Sequence, residues 1–251
     1  MDNRLKELLN SIKNNFTELL GENLTGIYIH GSVAFGCFNW DTSDVDFIVV
    51  TETQPDNETQ QKIIELLLKL DKSAPPKGLE MSMVTAENCR NFVYPTPYYL
   101  HFSNSHKESY IQDCKGHLDK LKGTDKDLAA HFTVINHVGI TLCGKDKADV
   151  FAPVPAESYL DSIRFDVENA AEEICDEPVY LTLNLCRVLA FIRQGKVLSK
   201  ADGGRWGIEN LPQFSDVIST ATDCYAKASI ADFDNDRLKA MADYILKEIF
   251  K

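Results

Sequence analysis

The sequence has no cysteines at disulfide or metal-ligand spacing: its 7 cysteines stand singly at 37, 89, 114, 143, 175, 186 and 224, with no C-x-x-C pair. That pattern excludes a disulfide framework and a zinc site, and reduced thiols, mostly buried, are expected. No run of about 18 apolar residues occurs, which excludes a membrane-spanning helix. The opening MDNRLKELLNSIKNNF also lacks the basic-then-apolar order of a secretory leader. A cytoplasmic protein without membrane contact is expected. Positive charge is scarce as well: 26 Lys and Arg against 38 Asp and Glu leave a net charge of -12. A polyphosphate backbone is bound largely through Lys and Arg that displace its counterions, so a nucleic-acid partner is excluded. The same acidic field attracts a small polycation.

What is present is a soluble globular composition, with 44% hydrophobic and 25% charged residues over 251 positions and neither repeats nor low-complexity tracts. Such a length accommodates two domains. Leu5, Leu8, Leu9, Ile12, Phe16, Leu19 and Leu20 recur at three- and four-residue steps, one apolar stripe of a helix that Gly21 ends. TGIYIHG and VDFIVVT read as strands, the second buried on both faces. NETQQKIIELLLKLDKS has helical period with Asn57 as N-cap. LEMSMVT and PYYLHFS read as further strands, Glu108 to His137 as helix, and GITLCG as a last strand. Alternating strands and helices predict an α/β (α+β) domain around a mixed sheet. The prolines of FAPVPAES mark a linker near 151 to 157, which divides the chain into 1–152 and 153–251. Beyond it, helices are predicted over 157–175, 179–194, 204–210, 214–228 and 232–249, an all-α bundle.

The chemistry resides in GIYIHGSVAFGCFNWDTSDVDFIVV, where Gly31-Ser32 follows a strand and Asp44-x-Asp46 opens the next, in the pattern G-S-x11-D-x-D. Side chains two apart on a strand share a face, so Asp44 and Asp46 converge on one point. Two carboxylates there suit magnesium, a hard cation that bridges to triphosphate oxygens. Ser32 is expected at a helix N-terminus, where free amides favour anions, and Gly31 allows close backbone approach, so the two are read as a phosphate cradle. In LEMSMVT, alternation sends Leu79, Met81 and Met83 to the core and Glu80 to the opposite face. An acid in a strand interior is best explained as a site residue, here a general base for a hydroxyl. Phe38 and Trp40 are read as loop packing, and His30 as a structural strand-end group.

This motif, with Glu80 downstream, resembles the nucleotidyltransferase superfamily that includes DNA polymerase beta. The stretch YLTLNLCRVLAFIRQGKVLSKADGGRWGIENLP, with GITLCG and the P-V-P linker, is similar to the aminoglycoside nucleotidyltransferases of the streptomycin and spectinomycin adenylyltransferase type. The resemblance implies AMP transfer from ATP, with Mg2+ on Asp44 and Asp46, to a hydroxyl of a cationic antibiotic, by a monomer. It implies Glu80 as base, Ser32 and Ser43 as nucleotide contacts, Lys200 as the phosphate-binding lysine and Tyr225 beside the nucleotide. Arg187, in an apolar helix, is expected to pair with an acid across the domain interface. Enzymes of this family that accept streptomycin carry a tryptophan where this chain has Ser103, Asn104 and Ser105, so spectinomycin is the expected substrate, with acidic drug contacts around Asp176 and Glu177. The alternatives are another hydroxyl acceptor, such as a lincosamide or a protein, and a non-catalytic nucleotide-binding module of the same fold.

Overall fold

The computed structural model describes residues 2–251 and divides into two compact units, one ending at Val154 and one spanning Pro155–Lys251. In the first, helix α1 (Asn3–Leu20) starts at Asp2, whose carboxylate accepts the Arg4 N–H at 2.8 Å, and it buries the predicted stripe from Leu5 to Phe16. Gly21, at φ 52, turns the chain out of the helix. There follow β1 (Leu24–Ile29), the single-turn α2 (Gly31–Ala34), β2 (Val45–Thr51), α3 (Asn57–Leu70), β3 (Leu79–Thr85) and α4 (Ala86–Arg90). Asn57 is not the cap of α3 but its first residue; Asp56 caps it, its side chain accepting the Thr59 N–H at 2.8 Å. Asp is as good a cap as Asn, and here it is the acid that meets the free amide.

PYYLHFS forms two short strands rather than one, β4 (Thr96–Tyr98) and β5 (Leu100–Phe102), which pair with different partners. The helix expected over 108–137 is also broken. Helix α5 (Asn104–Lys120) is interrupted at Asp113, whose carboxylate accepts the Gly116 N–H at 3.0 Å, and strand β6 (Gly123–Asp125) separates it from α6 (Asp127–Val138). β6 exists because Gly123-Thr124-Asp125 finds a partner in β4, a tertiary pairing with no local signature. The unit closes with β7 (Ile140–Gly144) and α7 (Lys147–Val150).

Sheet order is β5-β3-β2-β1-β7, with β2 and β3 parallel and every other neighbour antiparallel, so the sheet is mixed as expected. Central β2 is buried on both faces. Val45, Phe47 and Val49 join the core under α1 and α3, while Ile48 and Val50 join a second cluster with Tyr28, Val84 and Phe132.

The second unit is α-helical throughout its regular elements: α8 (Ala156–Phe165), α9 (Ala170–Glu173), α10 (Pro178–Gln194), α11 (Lys200–Asn210), α12 (Ser215–Lys227) and α13 (Asn235–Ile249). The single helix expected over 157–175 is tightened between α8 and α9 into three-residue turns, seen in Val167 N–H to Arg164 O and Ala170 N–H to Val167 O, both 3.1 Å. Helix α11 begins four residues before the expected 204. Ser199 caps it by accepting the Asp202 N–H at 3.0 Å, and three glycines that disfavour an isolated helix are required by packing. A Cβ on Gly203 would lie 2.6 Å from Arg187 Cγ, and one on Gly207 2.6 Å from Cys186 Sγ. Within this unit the Arg187 guanidinium meets neutral oxygens: its Nε donates to the Leu198 carbonyl at 2.9 Å and Nη1 to Asn184 Oδ1 at 2.8 Å. The first of these contacts ties α10 to the loop that enters α11. All seven cysteines are free, but Cys89, Cys186 and Cys224 alone are buried and the other four are half-buried, fewer than expected. Among the described residues no helix is long and apolar enough to cross a membrane.

Candidate active site

The parallel register of β2 and β3 sets Asp46 directly beside Glu80. Two contacts hold the entrance to this pair. The Val45 N–H donates to the Gly78 carbonyl at 3.1 Å, and the buried Asp71 carboxylate accepts the Leu79 N–H at 3.2 Å while pairing with the Lys107 ammonium. Asp44 lies just before β2, two residues from Asp46. One carboxylate oxygen from each of Asp44, Asp46 and Glu80 lies within 4.8 Å of the others, and all three residues are half-buried. Two unit negative charges at that separation repel by roughly 3 kcal/mol at an effective dielectric of about 20, less where solvent screens them. Such a cluster is relieved by a cation, and three hard oxygen donors fit Mg2+ rather than a soft metal.

Gly31, the first residue of α2, meets this cluster just beyond the end of β1. It has φ +55, and a Cβ there would overlap the Asp46 carboxylate, standing 2.6 Å from Asp46 Cγ. Gly31 thus makes room first for an acid of its own chain, a more specific role than the close phosphate approach expected of it. The strand end is fastened to the same residue, since the His30 N–H donates to the Asp46 carbonyl at 3.1 Å. Ser32 follows on α2. Its hydroxyl is buried and, among the described residues, has no hydrogen-bond partner, an orphaned donor next in the chain to Gly31. Helix α2 is a single turn, so its dipole is small, and an anion there would be held chiefly by the hydroxyl and the turn amides.

The other sequence-derived residues are placed as follows. Ser43 is buried, and its hydroxyl accepts the Asn39 N–H at 3.2 Å, closing the turn that leads into Asp44. In the helical unit, Lys200 opens α11 with its ammonium 4.8 Å from the centre of the Tyr180 ring, and Tyr225 is a half-buried residue of α12. Phe38 and Trp40 pack edge to face at 6.2 Å, with the Arg4 guanidinium over the indole at 4.3 Å, in keeping with loop packing. His30 is structural: it is buried, its ring centre is 4.5 Å from that of His131, and burial, reinforced by His131, holds its pKa well below the ordinary imidazole value.

A cavity of about 440 Å³ opens at Glu80. Its wall includes Tyr98, His101, Asp125, Asp127 and His131, none of which the sequence motif points to. His101 Nδ1 lies 2.8 Å from the Ser82 hydroxyl, and burial pushes its pKa down to about 4. The volume is at the small end of ligand sites.

Residues 5–99 match the family model described as "Nucleotidyltransferase domain", and residues 149–248 match "Aminoglycoside adenylyltransferase, C-terminal domain". None of the curated proteins matches the chain. Among solved structures, the spectinomycin adenyltransferase AAD(9) from Enterococcus faecialis, crystallised with ATP and spectinomycin, superposes with a TM-score of 0.81. It is 19% identical over 98% of this chain and 99% of that one, so what is shared is the fold. A toxin-antitoxin with AMP-PNP also matches, at 16% identity over 68% of this chain and 97% of that one, but a TM-score of 0.30 supports no argument.

Proposed function

Since the chain belongs to the aminoglycoside nucleotidyltransferase family, with a nucleotidyltransferase domain followed by an adenylyltransferase C-terminal domain, we propose that it transfers AMP from ATP to a hydroxyl of an aminoglycoside-type antibiotic and so confers resistance. Spectinomycin is the favoured acceptor, ahead of streptomycin. The observation that carries the reading is the meeting of Asp44, Asp46 and Glu80 within 4.8 Å at the mouth of a polar cavity. A pure nucleotide binder has no use for the third acid; a transferase uses it as base.

In this reading Asp44 and Asp46 hold Mg2+, which supplies positive charge against the triphosphate. Glu80 accepts the proton of the acceptor hydroxyl as that oxygen bonds to the α-phosphorus, and the bond from the α-phosphorus to the bridging oxygen breaks to release pyrophosphate. Ser32, whose hydroxyl lacks a partner among the described residues, donates to a phosphate oxygen, and Gly31 keeps Asp46 seated. Ser43, Lys200 and Tyr225 complete the proposed nucleotide contacts, the first by shaping the turn before Asp44. The test is pyrophosphate release with magnesium-ATP across spectinomycin, streptomycin, kanamycin and lincomycin, for the wild type and Glu80→Gln. Release with spectinomycin that falls by roughly 100-fold or more in the variant, with ATP binding kept, is expected. Silence across the panel discards the substrate, and unchanged transfer by the variant removes Glu80 from the mechanism.

A further inference from the structure

The cavity at Glu80 has an unusual wall. It carries three carboxylates (Glu80, Asp125 and Asp127) and three imidazoles (His101, His106 and His131), and each of its four other residues bears a hydroxyl. Among the described residues it has no lysine, no arginine and no aliphatic side chain. A ligand with an alkyl arm would find little apolar surface there, whereas a polyhydroxylated ligand with ammonium groups would find carboxylates and hydroxyls to accept its hydrogen bonds. With Glu80 committed to Asp44 and Asp46, the charge that reads an ammonium must come from β6 and α6.

From this we infer that Asp125, seconded by Asp127, is the specificity-determining acid of the acceptor site and selects cationic, polyhydroxylated acceptors over neutral or apolar ones. The inference rests on the transferase reading above and names the recognition within it. Asp125 is held for such a role on two sides: β6 pairs it with Thr96, and its Oδ1 accepts the Asp127 N–H at 2.9 Å, which fixes the start of α6. His101, kept neutral by burial, adds no opposing charge to the wall at neutral pH.

A purely structural role predicts something different. If Asp125 only caps α6, an amide serves as well as a carboxylate, because the asparagine side-chain oxygen still accepts the Asp127 N–H. Asp125→Asn therefore separates cap from charge, and Asp125→Ala removes both. The experiment measures pyrophosphate release and, by calorimetry with Mg2+ and a non-hydrolysable ATP analogue, the binding of spectinomycin and of spectinomycin acetylated at its amines. Expected for Asp125→Asn is about a tenfold rise in KM and Kd for spectinomycin, with kcat, the KM for ATP and thermal stability held, since one charge-assisted hydrogen bond is lost. The acetylated drug, lacking ammonium groups, should bind more weakly to the wild type and equally to both proteins. Spectinomycin affinity unchanged in Asp125→Asn, or a wild type that binds the acetylated drug as tightly as the parent, overturns the inference, as does failure of the wild type to bind spectinomycin, streptomycin and kanamycin alike. The two readings fail separately. Spectinomycin binding that depends on Asp125 without any pyrophosphate release sinks the transfer and keeps the recognition; transfer with an indifferent Asp125→Asn does the reverse.

Discussion

Replacing Gly31 with alanine tests the geometry of the acid cluster at the point where β1 meets it. Two costs are involved, and the structure allows them to be separated. The first is backbone: alanine at φ +55 sits in the left-handed region, at roughly 1–2 kcal/mol. The second is contact: the new Cβ would lie 2.6 Å from Asp46 Cγ, and restoring ordinary van der Waals separation moves that carboxylate by ~1 Å. Gly21 supplies the control, for it has φ +52 and nothing within 4 Å of the position of a Cβ. Both variants should therefore lose stability, on the order of 2–4 °C in Tm per kcal/mol for a domain of this size, with the contact at Asp46 added to the backbone cost in Gly31→Ala alone. Only Gly31→Ala should lose function. A misplacement of about 1 Å in a reacting constellation costs about 100-fold in rate, so transfer by Gly31→Ala should fall by that factor relative to Gly21→Ala. The rise in Tm on adding Mg2+ should shrink in the same variant. Thermal denaturation with and without Mg2+, run beside pyrophosphate release, checks both. Transfer by Gly31→Ala within about threefold of Gly21→Ala would refute the claim that Gly31 exists to seat Asp46.

Two further outcomes follow from single side chains. Ser32→Ala removes a buried hydroxyl that has no partner among the described residues, so it should leave Tm unchanged or slightly raised while raising the KM for ATP by about tenfold; a fall in Tm with an unaltered KM would make Ser32 structural. His101 has its pKa pushed down by burial to about 4 from the ordinary 6.5, so below 6.5 the unfolded chain takes up a proton that the folded chain refuses until about 4. Stability on the order of 2 kcal/mol, present at pH 7, should be lost across that window, and denaturation at pH 7, 5.5 and 4 should show a shallower loss in His101→Asn.

The sequence and the structure agree where the information is local and periodic. The α1 stripe, the doubly buried β2 and the alternation of β3 are each dictated by side-chain spacing along one element, and the acids inherit that clarity. Asp44 and Asp46 share a face because they are two apart, and Glu80 faces away from Leu79, Met81 and Met83 for the same reason. What remained hidden has no period to reveal it. Strands β4 and β6 are three residues each and owe their existence to each other. The Asp56 cap lay one residue from the asparagine expected, within the tolerance of any helix boundary. Helix α11 was obscured by Gly203, Gly204 and Gly207, whose propensity opposes a helix that close packing against Arg187 and Cys186 demands. A serine followed three residues later by an acid, Ser199 and Asp202, was the local signal that marked its start.

The same division runs through the site. The part that the proposed reaction assigns to phosphate and protons is written in two strands and one turn, where a one-residue slip would turn an acid to the wrong face. The cavity wall is drawn from β3, β4, β5, α5, β6 and α6, and its residues meet only after β4 and β6 have paired. A change at Asp125 or His106 leaves the register of β2 and β3 untouched, whereas a change at Gly31 reaches Asp46 at once. Under the proposed function, acceptor preference can accordingly shift by substitution in the wall while the chemistry stays fixed, the motif reporting the reaction and only the folded wall the acceptor.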